Sequence, residues 1–229
     1  MQNRIQKIID NIHAAEEKYS RPRGAEKLLT VSKKRSVAEI QQAIAAGLLW
    51  FGESYIQEAI PKITAINNPK IIWHFIGPIQ SNKTKQIAEY FSWAHSIDRE
   101  KIARRLNEQR PAHLPPLNVC VEVNISNEST KSGVTTDELS SLARTIHDLP
   151  NLNLRGLMSI PQATDDFQQQ RDNFHKLREA LNRLNYQDDL NLDTLSMGMS
   201  NDYQAAIAEG ATIVRIGTAI FGLRCDCCG

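Results

Sequence analysis

Eight short apolar runs recur along the chain with longer amphipathic stretches between them, and this alternation restricts the fold more than any other feature. The runs fall at 28–32, 48–52, 71–77, 93–97, 118–124, 154–160, 194–198 and 213–217. Apolar residues at helical spacing occupy 36–46, 55–66, 81–90, 100–109, 136–149, 165–184 and 201–209, and a further helix is predicted over 5–19. Strand and helix in strict alternation is the pattern of a parallel sheet whose crossovers are helices. Eight such units predict a single (β/α)8 TIM barrel with an extra N-terminal helix. The rival, an open doubly wound sheet, would carry a glycine-rich turn after its first strand, and Val31-Ser32-Lys33-Lys34-Arg35-Ser36 contains no glycine. Punctuation supports the helices: Ser36, Thr135 and Ser200 are expected N-caps, Gly47 and Gly210 helix ends, and Pro150 a stop.

No Pro/Gly/Ser-rich linker or charge block divides the 229 residues, so one domain is expected over 1–224, followed by a Cys-rich tail at 225–229. Lys plus Arg number 27 against 26 Asp plus Glu, a balance that argues against nucleic acid or an acidic membrane as partner. The N-terminal segment lacks a continuous apolar core and no run is long enough to span a bilayer, so a cytoplasmic chain without membrane attachment is expected. Cys120 lies inside an apolar run, while Cys225, Cys227 and Cys228 crowd the end without an evident fourth ligand. Neither a disulfide framework nor a metal site is expected from that spacing, and the tail reads as oxidisable.

In a barrel of this kind, active groups belong at the C-terminal ends of the strands. Those ends offer Lys33, Glu53 with Ser54, His74 with Gly77, Ser96 with Asp98, Asn124, Met158, Ser196 with Gly198 and Ser200, and Arg215 with Gly217 and Thr218. Lys33 ends the first apolar run, with Lys34 and Arg35 next to it. An amine that titrates near ~10.4 in water becomes a nucleophile when desolvated or placed beside another cation; otherwise it is an ordinary solvated lysine. The last two units suit a phosphate: hydroxyls and glycines precede helix starts whose free N–H groups favour anions. Alternatively Ser200 only caps, Gly198 and Gly217 only turn, and Arg215 pairs with a carboxylate. A Schiff-base lysine facing a phosphate cradle suggests a phosphorylated aldehyde, of which pyridoxal 5′-phosphate is the commonest cofactor. Arginine, which only donates, would leave a pyridine nitrogen facing it unprotonated and the ring a weaker electron sink.

With these residues in view the chain resembles a known family, the pyridoxal phosphate homeostasis proteins (the YggS and PROSC group), which share the fold-type III barrel of the alanine racemase N-terminal domain. The resemblance is carried by Val31-Ser32-Lys33, Phe51-Gly52-Glu53, Trp73-His74-Phe75-Ile76-Gly77 with Gln80-Ser81-Asn82-Lys83, Val123-Asn124-Ile125 with Lys131-Ser132-Gly133, Arg155-Gly156-Leu157-Met158, Leu195 to Ser200, and Arg215 to Gly222. It implies that Lys33 holds the cofactor as an aldimine, that Arg215 faces the pyridine nitrogen, and that Ser196, Gly217 and Thr218 bind the phosphate, with Ser200 and Met197 on the same turn counted in the site. Ser54 stands where the family usually has Asn and is expected to reach the ring hydroxyl over a shorter distance. His74 either contacts the ring or fills the barrel, and Lys131 is either a transfer point or a solvated loop lysine.

Racemases with this barrel add a β-rich domain and a tyrosine base from a partner subunit, and no tyrosine here sits in a recognisable catalytic motif. The resemblance therefore implies a monomeric, non-catalytic carrier that binds pyridoxal phosphate and supplies it to apo-enzymes. The alternatives are a weak amino-acid racemase or decarboxylase, or a cofactor-free lyase using Lys33.

Overall fold

A computed structural model describes residues 1–126 and 132–222. Eight parallel strands close into a barrel in chain order: β1 (Lys27–Val31), β2 (Trp50–Glu53), β3 (Ile72–Phe75), β4 (Trp93–Ile97), β5 (Leu117–Glu122), β6 (Leu152–Met158), β7 (Thr194–Ser196) and β8 (Ile213–Ile216). Closure is direct, with Leu28 opposite Val214 and Leu29 opposite Arg215. The crossovers are α2 (Val37–Ala45), α3 (Ile56–Ile66), α4 (Thr84–Tyr90), α5 (Glu100–Gln109), α6 (Thr136–His147), α7 (Phe167–Gln187) and α8 (Tyr203–Ala208). The expected N-terminal helix is α1 (Gln2–Lys18), which packs on α8 and on a short helix after the last strand, α9 (Thr218–Phe221), absent from the sequence-based expectation.

Strand alternation divides the apolar side chains into two cores. Leu29, Trp93, Cys120, Met158 and Ile213, with Trp50 and Ile72, come from the strands and fill the barrel interior. Their neighbours one residue away, such as Phe51, Trp73, Val119, Leu157 and Val214, pack with the buried faces of the helices in the outer core. Polar residues share the interior: the Arg155 guanidinium lies 5.1 Å from the Trp93 ring centre.

Ser36 accepts from the Glu39 N–H while the Glu39 carboxylate accepts from the Ser36 N–H, and the Glu138 carboxylate likewise accepts from the Thr135 N–H at 3.2 Å. Gly47 and Gly210 follow their helices with φ of +92° and +90°. Ser200 is not a cap. The N-cap of α8 is Asp202, whose carboxylate turns back to accept from the Met199 N–H at 2.6 Å, so residues 199–202 form a tight turn ahead of a shorter helix. Helix α4 likewise starts three residues late, because Lys83 donates to the Gln80 carbonyl and Thr84 to that of Ser81, closing a turn there.

Among the described residues, no helix is long and apolar enough to cross a membrane. Lys131 and the tail cysteines Cys225, Cys227 and Cys228 lie outside the described residues.

Candidate functional site

The ends of β1, β2 and β8, with the segments after β3, β6 and β7, surround a cavity of about 570 Å³. Small-molecule sites usually span ~300–1,000 Å³. Lys33, Ser54, Ser200, Arg215, Gly217 and Thr218 all line it, so the first strand's amine and the last two turns share one opening.

Ser196, His74 and Met197 are not among the lining residues. Met197 has no exposure and packs in the outer core, because it follows Ser196 along the chain and so faces the opposite side of the sheet. Ser196 is wholly buried: its hydroxyl lies 2.8 Å from Arg215 Nη1 and 2.8 Å from His95 Nδ1. His74 is also wholly buried, stacked on Trp93 with ring centres 5.3 Å apart and bonded through Nδ1 to His95 Nε2 at 2.9 Å. It fills the barrel below the cavity.

The turn that presents Lys33 is held on both sides. Ser32 donates its N–H to the Gly52 carbonyl (2.9 Å) and its hydroxyl to Glu53 Oε1 (2.6 Å). Lys62, reaching across from α3, donates to the same Glu53 oxygen (2.9 Å) and to the Ser32 carbonyl (3.0 Å). On the far side the Lys34 N–H donates to Glu58 Oε2 (2.8 Å), with Lys34 in the left-handed region at φ +57°. Lys33 thus sits between two residues whose main chains are tied to a buried ion pair and a carboxylate. Burial raises the Glu53 carboxyl above its ordinary range, an effect that Lys62 and the Ser32 hydroxyl oppose.

Arg215 supplies the cavity's buried cation. Its Nη1 donates to the Ser196 carbonyl (2.6 Å) and hydroxyl, and its Nη2 to the Ser159 carbonyl (2.9 Å). Burial pushes its pKa down to about 10, opposed by Asp202 and Glu122, so it stays charged at neutral pH. No carboxylate bonds it directly among the described residues, and the acids balance it at longer range. Arg35, which also lines the cavity, donates to the Gly222 carbonyl at 2.5 Å and lies 5.3 Å from the Phe221 ring centre, tying down α9.

Sequence reasoning missed Thr164, Asp165 and Asp202, which line the cavity, and Lys62 and Glu58 behind it. Asp202 carried a usable signal, since an acid one residue before a helical run that follows a Gly-containing strand end suits a turn or cap. Lys62 carried none, because only the tertiary fold brings α3 against the end of β2.

A model of the alanine racemase N-terminal domain family matches residues 4–225. The pyridoxal phosphate homeostasis protein of Pseudomonas aeruginosa is 54% identical over 220 residues, covering 96% of this chain and 94% of the relative. That of Escherichia coli K12 is 47% identical over 223 residues, covering 96% and 95%. Among solved structures, PipY of Synechococcus elongatus with PLP bound superposes with a TM-score of 0.81 at 33% identity, covering 92% of this chain and all of the other. Alanine racemase from Corynebacterium glutamicum shares the fold, with a TM-score of 0.70 at 17% identity, and this chain covers 61% of it. By sequence and by fold, the chain belongs to the family of pyridoxal phosphate homeostasis proteins, built on the alanine racemase N-terminal-type barrel.

Proposed function

We propose that the chain binds pyridoxal 5′-phosphate at the mouth of the barrel, holds it reversibly through Lys33, and serves cofactor homeostasis and delivery to apo-enzymes without turning substrates over. The observation that carries this reading is a primary amine and a buried guanidinium lining one cavity with the hydroxyls of Ser54, Ser200 and Thr218. When bound, the cofactor supplies an aldehyde that condenses with a primary amine with loss of one water. Lys33 offers that amine from a turn braced on both sides, which lowers the cost of ordering it on binding. Arg215 presents only donors to a ring nitrogen, which keeps that nitrogen an acceptor. Gly217 and Thr218, at the start of α9, offer a main-chain N–H and a hydroxyl to a phosphate, and Ser200 adds a second hydroxyl from the turn after β7.

Two observations support a carrier over a catalyst. Among the described residues no tyrosine lines the cavity, and Asp202, its most buried acid, is committed to the Met199 N–H.

Absorbance titration of apo-protein with pyridoxal phosphate tests the reading. A visible band that borohydride bleaches is expected in wild type and its loss in Lys33→Ala, with no amino-acid turnover at ordinary enzyme rates. Failure of wild type to develop the band rejects the cofactor assignment, and racemisation or decarboxylation at enzyme rates rejects the carrier role.

A further inference from the structure

Four polar side chains form a continuous line inside the barrel, and the Lys33 chemistry does not use three of them. Arg215 Nη1 meets the Ser196 hydroxyl at 2.8 Å, that hydroxyl meets His95 Nδ1 at 2.8 Å, and His95 Nε2 meets His74 Nδ1 at 2.9 Å. Ser196, His95 and His74 have no solvent exposure, and Arg215 is nearly buried. His74 Nε2 ends the line without a partner among the described residues, between the Trp50 and Trp93 rings, whose centres lie 4.8 and 5.3 Å away.

The donor chemistry gives this line a direction. A guanidinium only donates, so Ser196 Oγ accepts from Arg215 and its own hydrogen turns to His95 Nδ1. His95 then carries its proton on Nε2 and donates to His74 Nδ1, and His74 carries its proton on Nε2. The reverse order would leave both the Ser196 hydrogen and the bare His74 Nε2 unsatisfied, whereas this order leaves one N–H, and buried polar groups left unpaired are costly. It also turns the His95 lone pair, not an N–H, toward the guanidinium. Both imidazoles are neutral: burial pushes His95 down to about 3, with the Arg215 charge adding to the effect, and burial holds His74 well below its ordinary value, with His95 adding to the effect.

We propose that Ser196, His95 and His74 are positioning residues for Arg215, a one-way hydrogen-bonded chain that fixes the plane of the guanidinium beneath the cavity. This assigns Ser196 to holding Arg215, where the family resemblance implied a phosphate contact. The proposal rests on the cofactor reading only in what Arg215 meets, since the chain itself is complete within the protein.

Imidazole ¹⁵N–¹H correlation spectra of histidine-labelled protein without cofactor test the direction. With His74 and His95 assigned through His→Asn variants, both are expected as Nε2–H tautomers that do not titrate between pH 5 and 9. A proton on Nδ1 of His95, or titration of either ring in that window, overturns the proposal. The positioning role is tested by pyridoxal phosphate titration of variants whose far-ultraviolet circular dichroism matches wild type. Ser196→Ala and His95→Leu are expected to weaken binding about tenfold, or ~1.4 kcal/mol, and to shift the pH profile of the visible band. Ser196→Thr and His95→Asn, which keep the hydroxyl and the acceptor, should stay within about threefold of wild type. Wild-type affinity and spectrum in Ser196→Ala and His95→Leu overturn the positioning role. Should wild type bind no pyridoxal phosphate while showing the expected tautomers, the cofactor reading fails and the hydrogen-bonded chain stands.

Discussion

Replacing Lys62 by Met isolates the ion pair that braces the Lys33 turn. Glu53 has no exposure, Lys62 is 8% exposed, and Glu53 Oε2 has no partner, so the carboxylate depends on Lys62 and the Ser32 hydroxyl. Breaking a buried pair by removing one partner costs ~3–5 kcal/mol, because the remaining charge is uncompensated. At ~2–4 °C per kcal/mol for a chain of this size, Lys62→Met should melt about 6–20 °C below wild type. Burial already raises the Glu53 carboxyl, and losing the cation raises it further. A folded-state value above the unfolded one means stability is fully present below the unfolded value and is lost as pH rises through the folded one. The deficit of Lys62→Met relative to wild type should therefore be largest near pH 8 and shrink toward pH 5. The neutral pair Glu53→Gln/Lys62→Met should recover part of it. Differential scanning fluorimetry from pH 5 to 8 measures all three chains. A Lys62→Met deficit below about 1 kcal/mol, or one that does not vary with pH, would refute the argument, since exposed pairs behave that way.

A second pH dependence is expected at the opposite face of the barrel. Glu16 and Glu26 are buried with Oε2 of each unpartnered, while their other oxygens accept from the Gly24 N–H (2.7 Å) and Arg21 Nε (3.0 Å). Burial pushes Glu26 up to about 7, with Glu16 adding to it and Arg21 opposing, so stability should fall as pH rises from 6 to 8. Glu26→Gln should flatten that slope in urea denaturation, and an unchanged slope would reject the raised Glu26 carboxyl. At the cavity rim, a Cβ on Gly77 would lie 2.4 Å from the Ser54 carbonyl oxygen. Gly77→Ala should lose ~1–3 kcal/mol and weaken pyridoxal phosphate binding by displacing Ser54, and a variant equal to wild type in both would show that the rim yields freely.

The barrel was legible from period alone, because side chains alternate along a strand and repeat every 3.6 residues along a helix whatever the neighbours are. Lys33 and Arg215 were legible for the same reason: a residue at the C-terminal end of a barrel strand reaches the mouth by position. Which way neighbouring residues pointed was harder to read. Ser196 and Met197 were drawn into the site with the rest of their turn, yet strand parity sends Met197 outward and Arg215 draws the Ser196 hydroxyl below the cavity.

The linear order of residues thus determined the number of strands, their closure and the two charged groups that frame the mouth, all of which follow from local periodicity. Tertiary structure alone decided that Lys62 braces the Lys33 turn from 30 residues beyond Ser32, and that Ser196 meets His95 across 101. Such contacts depend on how a closed sheet brings distant segments together, and a buried polar atom takes whichever partner the fold leaves within reach.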